Sequence, residues 1–136
     1  MSSIVVGDRN ETEIADKVAD SFLSPQGRGE VRGQIINLAG QTTVRQLTAL
    51  LSKTALLISN DTGTVHLASA AHCPVAVLFG PGDWRRYGPY RTEYRIVSSG
   101  LACSPCLKVA CRKNFLCWQF ITPEKVLKEI APLLGN

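Results

Sequence analysis

What this chain does not contain narrows its class first. Its apolar stretches are short, with Pro74 to Phe79 among the longest, and none approaches the length needed to span a bilayer. The start, Met1-Ser2-Ser3-Ile4-Val5-Val6-Gly7, has neither a basic region nor a long apolar core, so it does not read as a signal peptide and the expected address is cytoplasmic. Charge is sparse: charged residues make up 19% of the chain and the net charge is +4. That balance suits an anionic ligand or a negatively charged membrane surface, and lacks the dense basic face of a nucleic-acid binder. Arg85, Arg86, Arg91 and Arg95 do gather near Tyr87, Tyr90 and Tyr94, a pattern read as a solvated basic loop; no nucleic-acid partner is expected. Neither an internal repeat nor a low-complexity tract interrupts the chain. At 136 residues, it can bury one core and not two. Five cysteines without an export signal argue against a disulfide scaffold, and Cys73, beside Pro74, reads as a small core residue.

What is present is an alternation of short β-prone runs with helical patterns. Ile4-Val5-Val6 reads as a strand, followed from Asn10 to about Phe22 by a helix with Ile14, Val18 and Phe22, and Ala15 and Ala19 alongside, on its apolar face. Ser24 to Gly33, rich in Gly and Pro, reads as a loop, and Ile35 to Leu38 as a second strand. Thr42 reads as the N-cap of a helix whose apolar face is Val44, Leu47, Leu50 and Leu51. Ala55 to Ser59 and Val75 to Phe79 are apolar throughout, as expected of strands buried on both faces. A helix from near Thr62 to about Ala71 lies between them. Tyr94 to Val97 reads as a fifth strand. Thr122-Pro123-Glu124 opens a last helix, with Val126, Leu127, Ile130, Leu133 and Leu134 expected to pack down. Strands buried on both faces and alternating with helices predict an α/β fold, a Rossmann-like doubly wound parallel sheet.

In such sheets ligands bind beyond the carboxyl ends of the strands. Three junctions qualify: Gly7 to Glu13, Asn60 to His66, and Gly80 to Tyr90. At the middle one, the small residues Thr62 and Gly63 would let a ligand approach free N–H groups at a helix start, which with the helix dipole suit a phosphate or pyrophosphate. His66, in the first turn, can add a donor or a positive charge. Asp61 would repel a phosphate and is better suited to accept from sugar hydroxyls or to orient His66. Equally open is that Asp61 or Thr62 merely caps the helix and that His66 packs near a strand end. The loop matches neither the Gly-rich dinucleotide fingerprint nor the P-loop.

The strings Asn37-Leu38-Ala39-Gly40-Gln41-Thr42-Thr43, Leu57-Ile58-Ser59-Asn60-Asp61-Thr62-Gly63, His66-Leu67-Ala68 and Pro74-Val75-Ala76-Val77-Leu78-Phe79-Gly80-Pro81 together resemble glycosyltransferase family 9, the ADP-heptose:lipopolysaccharide heptosyltransferases and their relatives. The resemblance runs from about Ile4 to Leu134. It implies a GT-B architecture, of which residues 1–136 would be the C-terminal, donor-binding domain, lacking its first strand–helix unit and the N-terminal acceptor domain. It also implies that Asp61, Thr62, Gly63 and His66 meet the donor sugar nucleotide, that Glu11 (with Glu13 as a rival) contacts the ribose, and that Gln41 and Thr42 lie near the adenine edge. The partners so implied are ADP-heptose or a related sugar nucleotide and a lipopolysaccharide core acceptor, with peripheral contact at the inner-membrane face. No cofactor is expected. The implied reaction is displacement at the anomeric carbon with inversion, and no residue of this chain is assigned the base. A stand-alone nucleotide-sugar binding module without catalysis is the rival reading.

Cys103, Cys106, Cys111 and Cys117 form a compact group within residues 101–120 that could wrap a zinc ion, act as a redox-sensitive staple, or stay as plain thiols; no metal ligand is assigned. Trp84 and Tyr87 either stack on a sugar or base or cover the open end of the sheet, and Asp83 has no assigned role.

Overall fold

The computed structural model describes residues 3–23 and 34–135. The predicted loop Ser24 to Gly33 and the side chain of Phe22 lie outside the described residues. The chain divides into two compact units, Met1–Gln46 and Leu47–Asn136.

In the first unit, β1 (Ser3–Val5) leads through a single 3-10 turn (Arg9–Glu11) into α1 (Thr12–Leu23), then β2 (Ile35–Asn37) and the start of α2 (Val44–Leu51). β1 and β2 are parallel, with Ser3 opposite Ile35 and Val5 opposite Asn37. The 3-10 turn is closed by a capping box: the Asp8 carboxylate accepts from the Asn10 N–H, and the Glu11 carboxylate accepts from the Asp8 N–H at 2.9 Å. α1 packs on β2 through the alanine edge of its predicted apolar face rather than through Ile14 and Val18. Ala15 is buried, whereas Ile14 is 64% exposed and Val18 40%. The helix is seated through Ala15 and a 2.7 Å bond from Asn37 Nδ2 to Asp16, which rotates Ile14 outward. The cap of α2 falls one residue later than predicted. Thr43 Oγ1 accepts from the Gln46 N–H while Gln46 Oε1 accepts from the Thr43 N–H. A capping box needs Gln three residues beyond the cap, and only Thr43 has one there.

The second unit begins within α2 and continues through β3 (Leu57–Asn60), α3 (Gly63–Ala70), β4 (Val75–Phe79), α4 (Trp84–Tyr87), β5 (Tyr94–Ser98), α5 (Leu116–Gln119) and α6 (Pro123–Ile130). Its sheet has the order β3-β4-β5, parallel throughout. α3 packs on β3 and β4, and α6 on β5 and β4. β4, the central strand, is buried nearly throughout as its composition predicts. The core around it joins Leu51, Leu57, Val65, Ala68, Cys73, Val75, Val77 and Phe79. β3 departs from the prediction: it is the edge of this three-stranded sheet, and Ile58 is 47% exposed while Leu57 is buried. Cys73 is the small core residue predicted, and burial pushes its thiol pKa up, against a hydrogen bond from the Leu57 backbone. Thr122 caps α6 through the Lys125 N–H, with Pro123 in the first turn, as the sequence predicts. Only Ile130 of that helix is fully buried, and Leu127 faces outward.

Candidate functional site

Parallel strands present their carboxyl ends together, so the turns leaving β3 and β4 meet at one edge of the second unit. β3 ends at Asn60, and α3 begins three residues later. Thr62 sits at the N-cap in extended conformation (φ −143°, ψ 169°), but its side chain does not cap the helix. Its Oγ1 instead lies 3.3 Å from Ser59 Oγ. The first-turn N–H groups of α3 therefore have no side-chain cap from Thr62, and the space where a side chain at Gly63 would stand is open. Asp61, Thr62, Gly63 and His66 all face solvent, while Val65, Ala68 and Ser69 anchor the opposite face of α3 in the core. The four residues are thus gathered at one exposed helix start.

The turn after β4 approaches the same place. A Cβ added at Gly82 would stand 2.9 Å from Asp61 Oδ2, so the two turns lie close, with the Asp61 carboxylate turned towards Gly82. Asp83 acts locally. It caps α4 through the Arg85 N–H and pairs with the Arg85 guanidinium at 2.9 and 3.2 Å. That guanidinium holds the Asp83 carboxyl below its ordinary pKa, with desolvation opposing and the Arg85 N–H assisting. A carboxyl whose pKa is lowered by folding contributes above its unfolded value, and loses that contribution as pH falls through the folded one. Asp83 is accordingly expected to titrate below an ordinary aspartate in a carboxyl NMR titration, and Arg85→Ala to bring its midpoint back up. An ordinary midpoint in the unaltered chain would mean that the pair does not form in solution. Trp84 and Tyr87 on α4 are 39% and 44% exposed, and the Arg86 guanidinium lies over the Tyr87 ring at 5.6 Å, occupying one face of a proposed stacking residue.

The first unit carries a cleft of about 270 Å³ lined by Gly7, Asp8, Arg9, Gly40, Gln41, Thr42 and Thr43. Gly40, at φ +69°, turns the segment after β2 back against Arg9, and its N–H donates to the Gly7 carbonyl. Gln41 and Thr42 line this cleft, and Gln41 Nε2 is held by the Asn37 carbonyl. Glu11 stands beside it rather than in its wall, with its carboxylate on the Asp8 N–H. Glu13 is paired along α1 with Lys17. Asp8 and Arg9, which lie in the predicted junction from Gly7 to Glu13 but carry no individual expectation, are the charged residues of the wall.

Cys103, Cys106, Cys111 and Cys117 are all free thiols, and among the described residues no group of three or more His, Cys, Asp or Glu is placed to hold a metal ion. Among the described residues no helix is long and apolar enough to cross a membrane.

Solved structures with the same arrangement of strands and helices place the fold. The chain superposes with a TM-score of 0.75 on a glycosyl transferase family 9 protein from Veillonella parvula, at 23% identity over 98% of this chain and 37% of that one. It matches ADP-heptose lps heptosyltransferase II of Escherichia coli equally well, with a TM-score of 0.75 over 98% of this chain and 36% of the other. The parallel α/β fold is that of a GT-B type glycosyltransferase. The model of glycosyltransferase family 9 (heptosyltransferase) matches residues 4–116, and the chain belongs to that family. Lipooligosaccharide heptosyltransferase 2 of Campylobacter jejuni is 31% identical over 76% of the chain, and lipopolysaccharide heptosyltransferase 2 of Salmonella typhimurium is 28% identical over 98%. The chain spans about a third of the length of these curated relatives.

Proposed function

We propose that this chain is the single donor-binding domain of a heptosyltransferase, holding ADP-heptose or a related sugar nucleotide while the sugar passes to a lipopolysaccharide core acceptor at the cytoplasmic face of the inner membrane. The observation that carries this reading is the solvent-facing start of α3, left without a Thr62 side-chain cap and open at Gly63. Backbone N–H groups and the helix dipole there suit the diphosphate, and His66 in the first turn adds a donor. Asp61 is suited to accept from sugar hydroxyls. For the first unit, the reading assigns Gln41 and Thr42 to the adenine edge and Glu11 to the ribose, with Asp8 as a second acid because it lines the cleft.

The reaction proposed is displacement at the anomeric carbon. The acceptor oxygen forms the new glycosidic bond as the bond to the nucleoside diphosphate breaks, inverting the centre, and a base outside these residues takes the acceptor proton. This chain's part is electrostatic: the α3 N–H groups and His66 stabilise charge growing on the leaving diphosphate. Titration calorimetry of the chain with ADP, UDP, GDP and ADP-heptose tests it. Among the nucleotides ADP is expected to bind preferentially; His66→Ala should weaken ADP by about tenfold, the loss of one charge-assisted hydrogen bond, and Asp61→Ala should weaken ADP-heptose by a similar factor while sparing ADP. Binding of no nucleotide, a His66→Ala variant that binds ADP like the parent chain, or an Asp61→Ala variant that binds ADP-heptose like the parent chain would overturn the assignment.

A further inference from the structure

Resting on that donor-site reading, we propose that the cysteine-rich segment 101–120 is a brace for the site, with Ser104 and Trp118 as positioning residues that fix the Gly80–Gly82 turn against Asp61.

The turn leaves the buried end of β4, where carbonyls run out of ladder partners and must be satisfied otherwise. The segment supplies those partners. Ser104 Oγ donates to the Gly80 carbonyl at 2.6 Å, and the Cys106 and Leu107 N–H groups both donate to the Pro81 carbonyl, at 3.0 and 2.9 Å. Trp118, on α5, lays its indole directly on Gly80. A Cβ at position 80 would stand within 2.7 Å of three indole atoms, so the ring and any side chain there exclude each other. On its other side the same turn approaches the site: a Cβ at Gly82 would stand 2.9 Å from Asp61 Oδ2 and 3.2 Å from the Phe79 ring. The turn thus stands between Ser104 and Trp118 on one side and Asp61, followed directly by Thr62 and Gly63, on the other.

The backbone of the segment turns sharply. Leu107 and Phe115 have φ of 56° and 50°, left-handed values uncommon outside glycine, and Asn114 has 47°, which asparagine tolerates. Cys117, next to Trp118, is buried and pins α5. Loops that present ligand-binding groups need such outer support to hold their geometry. The cysteine-rich segment thus has a role that needs neither metal nor disulfide.

Amide NMR spectra of the 136-residue chain decide this. Ser104→Ala is expected to move the amide resonances of Asp61, Thr62 and Gly63, Ser104→Thr to return them towards their original positions, and Val75 to Val77 to stay in place. Trp118→Phe, which keeps an aromatic face on Gly80, should perturb those three amides less than Trp118→Leu. ADP affinity in Ser104→Ala should fall about three- to tenfold, the loss of one hydrogen bond acting through the turn. Shifts confined to residues 104–107 and Gly80 would overturn the brace, whether or not ADP binds. A parent chain that binds no ADP would instead count against the donor reading, while the amide shifts still decide the brace. Should Trp118→Leu not fold, Ser104→Ala with its Thr rescue carries the decision.

Discussion

Phe79→Ala is expected to lower stability by about 3–5 kcal/mol, the range for truncating a fully buried aromatic side chain. The ring is 1% exposed and belongs to the cluster of Leu51, Leu57, Val65, Ala68, Cys73, Val75 and Val77. Its removal leaves a void at the end of the central strand of the second unit, where parallel pairing on both sides prevents the backbone from collapsing inward. A second consequence follows from place as well as size. The Phe79 ring also supports Gly82, since a Cβ there would stand 3.2 Å from its Cδ1, so the turn against Asp61 should loosen with the core. Guanidinium denaturation followed by tryptophan fluorescence measures the loss. Ile58→Ala, at an edge position already 47% exposed, should cost under about 1 kcal/mol in the same experiment and serves as the comparison. Equal losses for the two would mean that β4 is not the centre of this core.

That contrast marks what residue patterns convey. Val75 to Phe79 could be recognised as a buried strand because every residue is apolar, and Thr122-Pro123 as a helix start because the cap and the missing N–H of proline are local chemistry. Depth of burial is not local. Ile14, Val44, Ile58 and Leu127 all fit an apolar pattern, yet each is exposed, because docking depends on which neighbour arrives and through which face. Ala15 belongs to the apolar face that periodicity predicts for α1, but the Asn37–Asp16 bond that seats the helix on that edge has no periodic signal. The same division holds at the candidate site. Asp61 to His66 were legible, since small residues between a strand and a helix expose backbone donors wherever the chain folds. Asp8 and Arg9 fall in the junction from Gly7 to Glu13 that strand ends single out, but no role attaches to them by residue type, because they become cleft walls only when Gly40 turns a segment thirty-odd residues away back upon them. The spacing of the cysteine segment left a metal, a staple or plain thiols open, and its contacts with Gly80 and Pro81 are made by a hydroxyl, two backbone N–H groups and an indole, groups that carry no spacing signature.

Gly63→Asp is expected to separate binding from folding. The position is helical rather than left-handed, and an added Cβ meets nothing within 4 Å, so a side chain is accommodated without strain. Replacing glycine at a helix start by aspartate places a carboxylate near the positive end of the helix dipole, worth about 0.3–1 kcal/mol in favour of the fold. For a diphosphate the same carboxylate is a competitor: it occupies the N–H groups and repels the incoming charge. At about 4 Å and an effective dielectric near 20 that repulsion is about 4 kcal/mol, so ADP affinity should fall at least about a hundredfold even after screening. Gly63→Asn, which fills similar space without charge, should bind far better than the aspartate variant. Thermal denaturation and ADP calorimetry on the same samples give both readings. Retained ADP binding in Gly63→Asp would remove α3 as the diphosphate site, whereas loss of binding together with loss of stability would show that Gly63 serves the fold. A variant that folds at least as well as its parent and no longer holds ADP leaves one account of the open helix start: its N–H groups are kept free of side chains so that a ligand's phosphates can take them.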